Sequence, residues 1–439
     1  DMALKLPLQT ELQVELECHI PASGKSHQQK AILPISIREA RAYERIEENP
    51  YRGYRGGTKM DKSEMFFGRD ELLDSLGQEL TTGPNGQGMV LYGAPRCGKS
   101  SVLEQLRQRL EGADHLVISL TMRDREGPVD AWFSEVLAEE LLDCLEQDEA
   151  GEQAREAFAN ALEAKLPYRK LIAGMRQLKE AWQAVGLDRR IALLLDEFGH
   201  IYDRAHGRDM HVDGDAPISP REVTNFMDRW RGLLDANVFN AVLVGHHSMY
   251  DFRKRYTAEF DRLRSEKLDY LDDTATEQFL SDPIPHRRGR LRGGAAELAY
   301  RLTAGNPFYL HKLGYALVNE LNASHSQYAT ERQINDAAHM AFLSPDQGND
   351  LPFQTMLEEF HDCLQGDEGL KKAAETVLGD IAARCTDDEG PTPEQLHPVR
   401  EMERIIKELK RWRILVEAPH GGLTFRVLIF ANWLRESQP

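Results

Sequence analysis

Residues 89–103 read Met-Val-Leu-Tyr-Gly-Ala-Pro-Arg-Cys-Gly-Lys-Ser-Ser-Val-Leu, and no other stretch constrains the chain as much. The apolar run up to Tyr92 predicts a strand over 88–92. Gly93 follows, then four residues (Ala94, Pro95, Arg96 and Cys97), then Gly98-Lys99-Ser100. Ser101 and the helical spacing of Val102, Leu103, Leu106 and Leu110 predict a helix over 99–111. Strand, G-x-x-x-x-G-K-S loop and helix in this order form the P-loop pattern. Glycines let backbone N–H groups turn inward on phosphate oxygens. The new helix aims its N-terminus at the same anion. Lys99 adds a mobile positive charge for the β- and γ-phosphates, and the Ser100 hydroxyl can ligate Mg²⁺. Gly93, Ala94, Pro95, Arg96, Cys97, Gly98, Lys99, Ser100 and Ser101 are therefore the candidate nucleotide ligands.

A second constraint lies about a hundred residues on. Arg190 to Phe198 reads Arg-Ile-Ala-Leu-Leu-Leu-Asp-Glu-Phe, a continuous apolar run closed by two acids. Such runs are strands covered on both faces, as in a parallel α/β sheet. Asp196 at the strand end fits a Mg²⁺-holding carboxylate. Glu197 beside it fits the base that polarises an attacking water. A third strand, Asn240 to Gly245, ends on His246 and His247. Ligands of open α/β sheets sit beyond strand carboxyl ends, so His246 is a candidate for contact with the terminal phosphate or the water. His115 to Thr121 and Lys267 to Leu271 read as further core strands. Helical periodicity fills 129–147, 152–184 and 221–235.

The remaining segments are less specific. Residues 1–37 alternate as β structure, with Leu12, Val14, Leu16 and Cys18 before the turn at 21–25, and Leu33, Ile35 and Ile37 after it. Pro34 marks an edge strand. The chain opens Asp1-Met2 close to this β pattern, as the end of a longer domain would. Residues 38–48 read as a charged helix. Asn49 to Gly57 is an irregular aromatic and basic loop running into Met65-Phe66-Phe67-Gly68-Arg69, a segment that could cover a nucleobase. Residues 204–220 read as a solvated loop; His206, His211 and its aspartates lack metal-ligand spacing. Residues 274–345 are helical, broken by Gly305-Asn306-Pro307-Phe308. Helices over 351–364 and 368–385 precede a tail that reads helix, helix, hairpin, helix. In it, Thr392-Pro393-Glu394-Gln395 is an N-terminal box, Val399 to Lys410 a basic amphipathic helix, and 413–427 a glycine-turned hairpin. That order is a winged helix.

Composition narrows the partners. A net charge of −18 disfavours nonspecific nucleic-acid binding by the whole chain, although a local basic patch can still bind. Five cysteines, at 18, 97, 144, 363 and 385, form no C-x-x-C pair, which points to free thiols in a reducing, cytoplasmic compartment. No apolar run approaches the roughly 18 residues of a membrane span, so no membrane partner is expected.

Taken together, NPYRG…FFGRDEL, GAPRCGKSS, LLLDEF, LVGHH, GNPF and FRVLIFANWL follow one another as in STAND-type ATPases. These are signal-transducing P-loop ATPases close to AAA+, and the chain resembles their prokaryotic and archaeal-type branch over about residues 46–437. The resemblance implies an α/β P-loop NTPase core of the ASCE/AAA+-like kind, with a parallel sheet, at 46–285. It implies a helical lid at 286–345 and a winged-helix domain at 346–439, after a short β-rich segment at 1–45. It places Phe67, Gly68 and Arg69 at the base, and Pro307 on the nucleotide from the lid. It puts His246 at the sensor position, where the family often has Ser, Thr, Asn or Arg, and it names no arginine finger. Its ligands are ATP or ADP with Mg²⁺. Its implied function is a slow ATPase switch, closed with ADP, self-associating with ATP and wired to an effector or sensor domain. Two rival readings stand beside it. One is an origin-recognition or transposition-like AAA+ ATPase that binds DNA through Arg400, Arg404, Lys407, Lys410, Arg411 and Arg413, among which Glu401, Glu403 and Glu408 are interleaved. The other is a pseudo-ATPase scaffold, against which Lys99, Ser100, Asp196 and Glu197 all count.

Overall fold

The computed structural model describes residues 9–20, 25–36, 43–54, 63–124, 127–146, 151–162, 167–206, 218–246, 248–284, 290–344, 352–364, 367–386 and 388–437. Two compact units emerge, 1–45 and 46–439. In the first, β1 (Gln9–Ile20) and β2 (Lys25–Ser36) pair antiparallel, with Leu12 opposite Leu33 and Pro34 opposite Glu11. Both strands of a hairpin are edges, where proline is tolerated. Most of the expected turn, at 21–24, falls outside the described residues.

The second unit is built on a parallel sheet of β3 (Gly88–Gly93), β4 (Leu116–Thr121), β5 (Ile191–Asp196), β6 (Asn240–Gly245) and β7 (Leu263–Leu268). Their spatial order is β4-β5-β6-β3-β7. Helices α1 (Asp70–Thr82) and α2 (Lys99–Gly112) cover one face, burying Leu73, Leu76, Val102 and Leu106 on Leu91, Leu194 and Val244. The other face is covered by α3 (Val129–Cys144), α4 (Glu152–Leu162), α5 (Pro167–Ala184), α6 (His200–Ala205), α7 (Pro220–Asp235) and α8 (Ser248–Arg255). Phe133, Phe226 and Trp230 are buried there against Val90, Leu193 and Leu243. Cover on both faces is why β5 and β6 are apolar throughout.

A third cluster joins the helices after the sheet. These are α9 (Asp273–Ser281), α10 (Ala295–Thr303), α11 (Pro307–Ala323), α12 (Glu331–Ala338), α13 (Pro352–Cys363), α14 (Glu368–Arg384), α15 (Met402–Arg411) and α16 (Leu428–Ser437). Two-residue strands β8 (Arg290–Leu291) and β9 (Tyr328–Ala329) pair beside α12, and the hairpin β10 (Leu415–Glu417) and β11 (Leu423–Phe425) lies between α15 and α16. Tyr51 and Tyr54, from the segment ahead of the sheet, are buried in this same cluster. Among the described residues no helix is long and apolar enough to cross a membrane.

Several local expectations are corrected. Residues 43–47 of the expected 38–48 helix are not helical, and 38–42 lie outside the described residues. The Ile46 N–H donates to Asn322 Oδ1 at 2.9 Å and its C=O accepts from Asn322 Nδ2 at 3.1 Å, so a side-chain amide on α11 takes the place of helical partners. The 152–184 helix is two, and they pack closely: a Cβ at Gly174 would stand 2.4 Å from the Phe158 ring. The last core strand starts at Leu263, not Lys267. It is a sheet edge whose interior reads Arg-Ser-Glu-Lys, so no apolar run announces it. The Thr392 box caps a single 3₁₀ turn, and the basic helix begins at Met402 because Glu401 is left-handed, φ +55°.

Candidate active site

The strand order brings three carboxyl ends together. β6 lies between β5 and β3, so the residue after β6 faces both the P-loop and the acids after β5. Glu197 is left-handed, φ +51°, and its N–H donates to Asp196 Oδ1 at 2.9 Å. The next N–H, of Phe198, donates to Val244 O at 2.7 Å and ties this turn to the end of β6. Gly245 has no room for a side chain there, since a Cβ would meet Met249 Cγ at 2.5 Å.

In the loop after β3, Arg96 has φ +58° and Gly98, the residue just before α2, φ +91°. Lys99 is buried; its Nζ donates to Ala94 O at 2.9 Å and lies 3.4 Å from Gly93 O and 3.4 Å from His246 Nδ1. His246 Nε2 lies 3.0 Å from Glu197 Oε2. Burial alone would raise the Glu197 pKa. The charge and hydrogen bond of His246, with Lys99 and Arg123, outweigh it and lower the pKa to about 2. Asp196 behaves oppositely: burial raises its pKa, the Ser100 hydroxyl opposes by hydrogen bonding, and the Glu197 charge adds to the rise.

Arg69 closes the loop from behind. Arg69 is 7% exposed, and its Nη2 donates to Cys97 O at 2.6 Å and to Asp269 O at 3.0 Å. Nη1 is buried without a hydrogen-bond partner. A Cβ at Gly98 would lie 3.2 Å from that Nη1 and 3.8 Å from Pro307 Cγ, so Arg69, Gly98 and Pro307 converge. Burial holds the Arg69 pKa below its ordinary value. An unpartnered cationic N–H, a side-chain-free left-handed glycine and a lysine resting on loop carbonyls fit an anionic ligand such as a nucleotide phosphate.

Pro307 begins α11. Asn306 Oδ1 accepts from Phe308 N at 2.9 Å and caps the helix, and its side chain also bonds the Tyr270 hydroxyl. Gly305, φ +71°, lets the turn pack directly on Leu271, whose N–H it accepts at 2.9 Å. Arg96 lies 4.3 Å over the Phe308 ring. Gly68, φ +68°, permits close approach to Ala275 on α9, and Phe67 packs edge-on to Phe279 at 5.7 Å. Tyr51 is fully buried, donating its hydroxyl to Phe279 O at 2.7 Å, so its ring is part of the core and not a wall for a base. Pro95 and Ser101 lie within the same loop and first helical turn, half-buried. His247 and residues 207–217 of the loop expected at 204–220 lie outside the described residues, while 204–205 close α6 and Pro220 opens α7.

Sequence reasoning missed a junction behind the P-loop. Asp269, just after β7, accepts from Arg426 at 2.5 Å and pairs with Arg413 at 3.1 Å, both from the hairpin region. Arg426 also stacks 4.0 Å over Tyr270. Arg411 on α15 pairs with Asp251 on α8 at 2.7 Å. The only signal was an arginine on each side of a predicted hairpin, which by itself reads as solvated.

Residues 65–216 match the family model described as AAA ATPase domain. The fold is that of an AAA+-like P-loop ATPase. The Walker-type ATPase paby2304 of Pyrococcus abyssi is similar at 17% identity, over 86% of this chain and 99% of that one, with a TM-score of 0.52. Two others are more distant: the RuvB Holliday junction branch migration motor of Thermotoga maritima (10% identity, 84% and 95% coverage, TM-score 0.40) and Cdc6p of Pyrobaculum aerophilum (11%, 87% and 99%, 0.41). No curated protein matches the sequence. At these identities the likeness to solved structures concerns the fold alone.

Proposed function

We propose that the chain is an ATP-binding and ATP-hydrolysing switch of the STAND type, acting in the cytoplasm. Its ADP or ATP state sets the position of a helical lid (286–345) and a winged helix (346–439) on the core (46–285), and with it self-association and the coupling to an effector or sensor domain. The P-loop amides and Lys99 bind the phosphates. Ser100 and Asp196 would hold Mg²⁺, which neutralises phosphate charge. Glu197 takes the proton of the attacking water. Phe67, Gly68 and Arg69 lie at the base, and Pro307 meets the nucleotide from the lid.

One observation carries the switch. Arg69 grips a P-loop carbonyl and the Asp269 carbonyl with one nitrogen, while the Asp269 carboxylate is held by Arg413 and Arg426. The phosphate loop and the C-terminal region thus share one residue. A ligand that disturbs Arg69 differently as ADP and as ATP can bias the C-terminal region's position, and only such a difference can shift an equilibrium. The pairings also weigh against DNA as the partner. Arg404 is engaged by Glu401, Lys410 by Glu417, Arg411 by Asp251 and Arg413 by Asp269.

Small-angle scattering and sizing of Glu197→Gln with ADP and with ATP test the proposal. A compact monomer with ADP and a larger, associating species with ATP are expected. Equal radius and mass in both states would sink the switch. Salt-sensitive DNA binding in either state would favour an origin-recognition-like role.

A further inference from the structure

The loop after β3 carries two left-handed residues, and the start of α11 lies against both. Gly98, φ +91°, faces Pro307, whose Cγ would stand 3.8 Å from a Cβ there. Arg96, φ +58°, sets its guanidinium carbon 4.3 Å over the Phe308 ring. Left-handed backbone is free of steric cost in glycine, but in arginine the Cβ crowds the following carbonyl. A glycine at 96 would turn the same amides toward phosphate. The arginine therefore carries strain that gives the loop nothing at the backbone, and such strain persists where surrounding contacts offset it. The contact here is a planar cation on an aromatic face.

The ring is a fixed partner. Phe308 is buried in the cluster of helices after the sheet, packs edge-on to Tyr309 at 5.5 Å, and donates its N–H to the Asn306 side chain. Lys312, one turn on in α11, sets a second cation 5.2 Å from the same ring. Of these two cations Arg96 is the one that comes from another element, so its stack joins the phosphate loop to α11. We propose that Arg96 is a positioning residue: stacked on Phe308, it holds the first turn of α11, and with it Pro307, against the phosphate loop and so slows the release of bound nucleotide. This rests on the ATPase reading, in which Pro307 meets the nucleotide, and deepens it. The guanidinium acts through the ring, and phosphate is left to the loop amides and Lys99.

Release of a fluorescent ADP analogue, chased with excess ADP in a stopped-flow instrument, tests this as a double-mutant cycle on the full chain. Arg96→Gly removes the cation and relaxes the backbone. Phe308→Leu keeps an apolar side chain and removes the aromatic face. Each should speed release about threefold to tenfold, the range of a partly desolvated cation–aromatic contact. The double variant should release within about twofold of the faster single variant, because both changes remove the same contact. Arg96→Lys should fall between wild type and Arg96→Gly, since it keeps a charge over the ring without the planar stack. Wild-type release by Arg96→Gly would overturn the proposal. So would effects that multiply in the double variant, the outcome if the Arg96 charge held phosphate directly. Circular dichroism checks that each variant is folded. Where Phe308→Leu is not, the Arg96 pair still decides: Arg96→Lys releasing as fast as Arg96→Gly would overturn the proposal too. The ATPase reading fails separately, if wild type and Lys99→Ala bind the ADP analogue alike.

Discussion

The two sides of the nucleotide site are built differently. On the phosphate side, Lys99, Asp196, Glu197 and His246 all sit at the carboxyl ends of adjacent parallel strands, each within four residues of its strand except Lys99, which lies at the head of α2. On the junction side, Arg69, Asp269, Tyr270, Asn306, Arg413 and Arg426 come from five separate segments and meet through contacts that each involve a side chain. The phosphate side is set by the sheet ladder and backbone turns. The junction is held by ion pairs and one stacked arginine, each worth little singly when part-exposed. Under the proposed switch, this division gives a rigid side made of backbone and a movable side of contacts that can be traded.

The largest effect should fall on the rigid side. Glu197→Gln should cut turnover by about 100- to 10,000-fold, the usual range for a general base, while nucleotide stays bound. Wild-type turnover in this variant would show that the carboxylate after β5 is not the base. Next, Lys99→Ala should weaken ADP binding about 100-fold through loss of a charge-assisted contact, with circular dichroism unchanged. A smaller effect is expected at the junction. Asp269→Asn keeps the carbonyl that Arg69 uses and removes the charge that Arg413 and Arg426 share. It should speed ADP release by about fivefold to tenfold and enlarge the ADP-bound particle, a coupling of 1–1.4 kcal/mol in order of magnitude. If release and radius match wild type, the comparison loses its movable half.

The smallest effects concern stability. Asp196 ionises less readily in the fold than free in water, so its charge costs stability at neutral pH; Asp196→Asn should raise the nucleotide-free Tm, by no more than about a few degrees. Glu197 ionises more readily, with its pKa lowered from 4.5 to about 2. Its pairing therefore stabilises fully above the unfolded carboxylate's pKa and is lost as pH falls through the folded one. The stability gap between wild type and Glu197→Gln, measured by urea unfolding, should shrink as pH drops from about 5 toward 3. A gap that widens would contradict the assignment of His246 as Glu197's partner.

Much of the rigid side was legible because the P-loop, the apolar β5 run and the β6 run each carry their residues within one short segment. Strand identity, loop chemistry and helix start then all point the same way. Edge strand β7 was misplaced by several residues because an edge needs no continuous apolar face. The helix expected at 38–48 is absent from residues 43–48 because a charged pattern says nothing of a distant Asn322 amide waiting for Ile46. The aromatic and basic segment starting at Asn49 read as cover for a base, yet its Tyr51 fills the space over Gly314, where a Cβ would stand 2.7 Å from its ring.

The sequence by itself determined the P-loop, the acid pair, the parallel α/β core and the helical character of the second half. These follow from local rules: period, propensity, glycine freedom and charge at strand ends. Only the tertiary structure decided that His246 stands between Lys99 and Glu197, that Arg69 leaves one N–H unpartnered behind Gly98, and that Asp269 gathers arginines from about 150 residues away. The order of strands in a sheet is not written in any one strand, because hydrogen-bonded neighbours are chosen by how whole layers pack. What a side chain meets across that order is settled only once the sheet has formed.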